Sequence, residues 1–291
     1  MTHSESPVPG PVGEVGAATA VGAVDYRRRA MICLDIDGTT VHHDGHLSEN
    51  VANAVQEVRA AGHIVVLATG RSVIATTPIA DLLGIHEGYA VCSNGAVTVR
   101  LDPYRPGGYE IVETVAFDPA PALTVVREKF PNAVIAVEEM GVGFRMNGRF
   151  PDGELQGELR EVSWDDLISE PVTRVCVRDT TATSAEFEHL VEHIGLHGVN
   201  YAVGYTAWLD LTPEGVSKAS ALEQVRRALQ IEPGDTIAVG DQRNDLEMLR
   251  WAARGVAMGQ APDEVKAAAD EVTAPVEDDG LALVLRSVPL F

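Results

Sequence analysis

Cysteine is scarce in this 291-residue chain, where only Cys33, Cys92 and Cys176 occur, each inside an apolar run. Three thiols without paired spacing make no disulfide framework and point to a reducing compartment. Aromatic residues are also few, at 5%, and with Val and Ala abundant this leans toward an α/β protein. Positive charge is short: 22 Lys and Arg stand against 43 Asp and Glu, a formal net charge of −21. A field of that sign speaks against nucleic acid or an anionic membrane as partner, so any phosphate site has to be locally positive. No apolar run approaches the roughly 18 residues that cross a bilayer. The beginning of the chain, rich in Pro, Gly, Ala and Val, has neither a basic start nor an apolar h-region. Residues 1–29 therefore read as a disordered tail rather than a signal peptide, and the expected location is cytoplasmic. Neither a GxxxxGK nucleotide loop nor a GxGxxG fingerprint occurs, which leaves nucleotide triphosphatases and dinucleotide dehydrogenases without support.

What is present begins at Met31-Ile32-Cys33-Leu34, a continuous apolar run suited to a strand buried on both faces of a parallel sheet. It ends in Asp35, Asp37 and Gly38, followed by two threonines. A period of two places both acids on one side, where they repel unless a hard cation such as Mg²⁺ lies between them. The competing reading is a loop whose acids cap the next helix. Ser48 then caps a helix bearing Val51, Val55 and Val58, and a second apolar strand at 64–68 ends in Thr69-Gly70-Arg71. Thr77 and Pro78 predict the start of another helix, and a third strand at 89–92 ends in Ser93-Asn94-Gly95. This alternation predicts a parallel sheet with right-handed crossovers.

From residue 97 the texture changes to period-two segments and longer helical stretches. The patterns predict a strand at 109–117, a helix at 119–130, a hairpin at 133–146 turning at Gly141-Val142-Gly143, and a helix at 154–168. A strand at 172–177, a helix at 184–194 and a strand at 200–209 complete the segment. The α/β pattern returns from Thr212, with a helix from about Ser217, a strand at 236–239 ending in Gly240-Asp241, and a helix near Asn244. The expected organisation is an α/β, Rossmann-like parallel-sheet core at 30–96 and 212–291, with an α+β domain at 97–211 inserted into it.

Four polar clusters occupy strand ends or a helix start in that core: Asp35 with Asp37, Thr69, Lys218, and Asp241 with Asn244 and Asp245. An open sheet collects such positions in one crevice at its switch point. Three carboxylates with one lysine and one hydroxyl suit Mg²⁺ beside a phosphoryl group. An aspartate nucleophile forming a phosphoaspartate fits that set.

The segments LDIDGTT, ATGR, GVSKASAL and GDQRNDLEML, in this order, resemble the four motifs of the haloacid dehalogenase superfamily of phosphohydrolases. TPEGVSKASAL, GVAMGQAPDEVKAAADEVT and EDDGLALVL extend the resemblance to its Cof-type branch, whose α/β cap lies between motifs two and three. The resemblance implies Asp35 as nucleophile and Asp37 as general acid and base. It implies Mg²⁺ held by the Asp35 and Asp241 carboxylates and the Asp37 backbone carbonyl, with Asp245 acting through water or by orienting Lys218. Thr69 and Lys218 would bind the phosphoryl group with Asn244 beside it, and Gly70, Arg71 and Asn94 would stand at the rim. The implied activity is hydrolysis of a small phosphorylated metabolite, such as a sugar phosphate or a phosphorylated cofactor, with no obligate protein partner evident. Two rivals use the same residue types: a phosphotransferase or mutase, and a non-catalytic phosphoaccepting module.

Other features carry less. His42, His43 and His46 lie near Asp44 on an expected exposed flap, because Gly45 breaks any helical face. Trp208 and Phe144 read as core of the insert, and Glu138, Glu139 and Arg145 as residues of its hairpin.

Overall fold

The computed structural model describes residues 29–181, 183, 199–203 and 208–289. The expected tail, apart from residue 29, and the helix expected at 184–194 lie outside the described residues. In chain order the strands begin with β1 (Met31–Leu34), β2 (Ile64–Ala68), β3 (Gly88–Cys92), β4 (Val97–Leu101) and β5 (Tyr109–Thr114). Then come β6 (Val134–Glu139), β7 (Gly143–Met146), β8 (Glu158–Glu161), β9 (Val175–Arg178), β10 (Val199–Val203) and β11 (Trp208–Pro213). The last three are β12 (Thr236–Gly240), β13 (Arg254–Ala257) and β14 (Glu271–Val272).

They form an eight-stranded sheet in the order β14-β13-β12-β1-β2-β3-β4-β5 and a six-stranded sheet in the order β10-β11-β9-β6-β7-β8. β1 sits inside the first sheet, parallel to β12 and β2, with Leu34 beside Val239 and Leu67. Its alternation therefore faces two cores. Ile32 and Leu34 pack with Val51, Val55, Ile79, Leu281 and Leu285, while Met31 and Cys33 pack with Leu222, Val225, Met248 and Leu249 on the opposite face. Helices cover both faces of a largely parallel sheet, the doubly wound α/β arrangement that the apolar runs predict.

Four local expectations need correction. β4 and β5, which fall within the insert expected from residue 97, pair antiparallel with β3 and with each other in the first sheet. The turn Ser93–Gly95 folds the chain straight back on β3, so that sheet gains two strands before the chain leaves it. The second helix starts at Val73 behind Ser72, leaving Pro78 inside it. The proline removes one helical donor, but the helix has already begun, because Thr76 donates both its N–H and its hydroxyl to the Ser72 carbonyl, at 3.0 and 2.8 Å. The helix expected at 154–168 is instead strand β8 followed by the short helix Trp164–Leu167. β8 fills the free edge of β7 in parallel, and all four of its residues are exposed, so edge pairing overrides helix propensity there.

The second sheet buries one face against the helix Ala120–Lys129, with Leu123 and Val126 meeting Ile135, Val137, Val177 and Leu211. Its other face carries Phe144, Met146, Phe150, Leu155 and Cys176. The strand expected at 200–209 is a pair, β10 and β11, running antiparallel.

Candidate active site

The sheet delivers Asp35 to its C-terminal edge and fixes it there, since the Asp35 N–H donates to the Val239 carbonyl at 3.0 Å. A tight turn follows, in which the Ile36 carbonyl accepts the N–H groups of Thr40 and Val41, both at 2.9 Å. Gly38 is at φ +76°, and a Cβ there would collide with the Asp241 carboxylate. Only glycine allows that approach.

Lys218 opens the helix Lys218–Ala228 behind the Ser217 cap. Its Nζ donates to Asp35 Oδ1 at 2.6 Å and to Asp245 Oδ1 at 2.7 Å, and all three side chains are buried. The other oxygen of Asp245 accepts the backbone N–H groups of Asp241 (3.0 Å) and Gln242 (2.9 Å). Asp245 thus ties the loop after β12 to the lysine. Asp241 accepts from Thr39 Oγ1 at 3.4 Å, Gln242 Nε2 at 3.2 Å and Gln260 Nε2 at 3.3 Å.

Carboxylate oxygens of Asp35, Asp241 and Asp245 lie within 4.8 Å of one another. Burial pushes the Asp35 carboxyl well above its usual range; Lys218 opposes this, and the neighbouring acids add to it. Burial, reinforced by Asp245, pushes Asp241 up to about 7. Burial also works against the Lys218 ammonium, but Asp245 and Asp35 outweigh it and hold the lysine charged. Ionising all three buried carboxyls against one ammonium would leave an excess of negative charge on hard oxygen donors. That donor set fits a divalent cation of the Mg²⁺ type. The Asp37 carboxylate is not in this group.

Asp37 faces the other way, where Arg71 holds it with Nε to Oδ2 at 2.8 Å and Nη2 to Oδ1 at 2.5 Å. The hydrogen bonds to Asp37 raise the Arg71 guanidinium above its ordinary value despite partial burial. Thr69 is buried after β2, its hydroxyl accepting the Arg71 N–H at 3.1 Å and its carbonyl accepting the Asn94 N–H at 3.0 Å. Ser93 and Asn94 have φ of 50° and 53°, and Asn94 Oδ1 accepts from Asn244 Nδ2 at 2.9 Å.

Asp35, Asp37, Thr69, Gly70, Arg71 and Asn244 line one cavity of about 490 Å³. Asn94 and Lys218 line a second, adjoining cavity of about 600 Å³ that shares Asp210 and Asn244 with the first. Asp241 and Asp245 lie fully buried behind them. The wall of the first cavity opposite Asp35 comes from the second sheet and its loops, including Phe144, Leu155, Arg174, Trp208 and Asp210. Phe144 and Trp208, expected only as core of the insert, therefore also face the cavity. Arg174 and Asp210 carry no motif, and no local pattern marks them; Gln260 lies within the segment GVAMGQAPDEVKAAADEVT and reaches Asp241 from there. His43 lines the cavity from the flap after β1.

The expected hairpin residues separate. Arg145 turns to the Asp166 carbonyl at 2.7 Å and to Glu170 at 2.9 Å, and Glu139 pairs with Arg160. Glu138 links the two sheets, accepting from Ser93 at 2.7 Å and Thr173 at 2.9 Å. Burial raises its carboxyl above the ordinary range.

Over residues 32–285 the chain matches the family described as haloacid dehalogenase-like hydrolase. A Bacillus subtilis (strain 168) protein named "Putative phosphatase YkrA" is 30% identical over 275 residues, spanning 90% of this chain and 98% of that protein. The 5-amino-6-(5-phospho-D-ribitylamino)uracil phosphatase YitU of the same organism is 26% identical, across 88% of this chain and 96% of its own. Among solved structures, the HAD subclass IIB sugar phosphatase BT4131 superposes with a TM-score of 0.73 at 25% identity, covering 90% of this chain and 100% of that one.

Proposed function

Because the chain belongs to the haloacid dehalogenase-like hydrolase family, we propose that it is a Mg²⁺-dependent phosphatase acting on a small phosphorylated metabolite through a phosphoaspartate at Asp35. The observation that carries this reading is a buried aspartate at a strand end, held by Lys218 at 2.6 Å and opening into a cavity walled by a second sheet.

With Oδ1 engaged by Lys218, Oδ2 of Asp35 is the oxygen that attacks phosphorus, and the bond from phosphorus to the leaving-group oxygen breaks as the new bond forms. Asp37 gives its proton to the departing oxygen and then takes one from water. That water oxygen bonds to phosphorus, the bond from phosphorus to Asp35 breaks, and inorganic phosphate leaves. Thr69 Oγ1 and the Lys218 ammonium hold the phosphoryl oxygens, with Asn244 beside them and Gly70, Arg71 and Asn94 at the rim. Mg²⁺, held by Asp35, Asp241 and the Asp37 carbonyl with Asp245 behind, would neutralise phosphate charge. The segment bearing β6 to β11 serves as a cap, which excludes water and limits substrates to small esters. YitU is named a 5-amino-6-(5-phospho-D-ribitylamino)uracil phosphatase and BT4131 a sugar phosphatase, which supports a sugar phosphate or phosphorylated cofactor here. No described helix is long and apolar enough to cross a membrane, and three buried free thiols fit a cytoplasmic setting.

The test is hydrolysis of 4-nitrophenyl phosphate by the full chain. Turnover should require Mg²⁺, stop with EDTA and vanish in Asp35→Asn; turnover that survives the substitution contradicts the reading.

A further inference from the structure

The cavity wall opposite Asp35 has a charge arrangement of its own. Arg174, just before β9, meets Asp210 on β11 with Nε and Nη2 on Oδ1 at 2.8 and 2.7 Å, and both side chains are largely buried, at 9% and 13% exposed. The Arg174 guanidinium also lies 6.0 Å from the Trp208 ring. The other arginine lining this cavity, Arg71, is held by Asp37. Both arginines are therefore paired with carboxylates, and Glu154, another acid of the lining, is paired with Arg178 at 3.1 Å.

The two oxygens of Asp210 are unequally occupied. Oδ1 takes the guanidinium and the Cys176 thiol, the latter at 3.5 Å. Among the described residues, Oδ2 receives only the Asn94 side-chain amide, at a long 3.5 Å. A carboxylate oxygen accepts more than one hydrogen bond, and Asp210 lines both this cavity, beside Phe144, Leu155 and Trp208, and the adjoining one that Asn94 lines.

We propose that Asp210 sets the substrate class: Oδ2 accepts a hydroxyl or ammonium hydrogen of the leaving group, and the Arg174–Asp210 pair disfavours a leaving group with a second anion. This rests on the reading of the cavity as a phosphatase site. The substrate is then a monophosphate ester of a neutral or cationic polyol or amino alcohol. A second carboxylate or phosphate would find Arg174 already engaged by Asp210 and would meet the less occupied oxygen of that carboxylate, a like-charge approach that costs strongly.

The experiment measures binding by calorimetry, in Mg²⁺ buffer, to full-length Asp35→Asn protein. The probes are two matched pairs: glucose 6-phosphate with 6-phosphogluconate, and glycerol 3-phosphate with 3-phosphoglycerate. In each pair the neutral member should bind at least about ten-fold tighter. Adding Asp210→Asn, which uncovers Arg174, should shrink that ratio to about three-fold or less. Equal or tighter binding of the carboxylate members, or an unchanged ratio in folded Asp210→Asn protein, overturns the proposal. If Asp210→Asn does not fold, the ratio of kcat/KM values in the unaltered chain decides. A binding preference without any turnover would count against the phosphatase reading and uphold this one; turnover without preference would do the reverse.

Discussion

Arg71 clasps Asp37 with two nitrogens of one guanidinium, at 2.8 and 2.5 Å, so that both carboxylate oxygens accept. A carboxyl group about to donate a proton cannot accept on both oxygens in the same way, because one of them carries hydrogen. On the proposed role of Asp37 as the acid, the clasp has to loosen before it acts, which would free an always-charged guanidinium at the wall of the same cavity.

Replacing Arg71 with Met should lower kcat/KM about ten- to a hundred-fold, a loss of about 1.4 to 2.8 kcal/mol of transition-state stabilisation. Arg71→Lys should recover little of this, because an ammonium does not reproduce the two-pronged contact. Steady-state kinetics on the three proteins checks both statements.

Lys218 is the one cation in contact with the buried pair Asp35 and Asp245 among the described residues. Removing one partner of such a group leaves uncompensated buried charge, at a cost of about 3–5 kcal/mol. Lys218→Met should therefore lower the urea-unfolding free energy of the metal-free protein by about that amount and abolish activity. The double variant Lys218→Met with Asp245→Asn should regain part of the stability and none of the activity.

Asp241 predicts a pH dependence with a definite sign. An unfolded aspartate titrates near 3.9, whereas burial pushes Asp241 up to about 7 in the fold. Between about pH 4 and 7 the folded chain keeps a proton that the unfolded chain has lost, so this group's contribution to stability is full below that window and declines through it. Relative to Asp241→Asn, the metal-free protein should lose a few kcal/mol of stability as pH rises across the window, and lose no more above it. At pH 7.5, Mg²⁺ should raise the melting temperature of the unaltered chain and leave Asp241→Asn nearly unmoved. Unfolding curves at several pH values, with EDTA or Mg²⁺, read both effects.

What was legible in the sequence was local. Asp35, Thr69, Lys218 and Asp241 each sit where an apolar run ends or a capped helix begins, so chain pattern and chemistry coincide at one place. The eight-stranded sheet then brings these positions together. The opposite wall has no such signature. Arg174 and Asp210 are 36 residues apart and meet only because β9 and β11 pair antiparallel, and alternation along a strand does not say which face a second domain will meet. Phe144 is both core and wall for the same reason. At β8, Glu158, Leu159, Arg160 and Glu161 have ordinary helix formers' side chains, but the open edge of β7 takes them as a strand. At Pro78, the preference of proline for a helix start competed with a turn at Thr69–Ser72 that already launches the helix.

The most direct test is to trap the covalent state. The full-length protein, mixed with Mg²⁺ and a slowly turned-over phosphate ester, is acid-quenched during turnover and its peptides are examined by mass spectrometry. A phosphoryl group should be found on Asp35 and on no other residue, and it should be missing from Asp35→Asn. Steady turnover with no label on Asp35, or a phosphoryl group on a different side chain, would contradict the central claim.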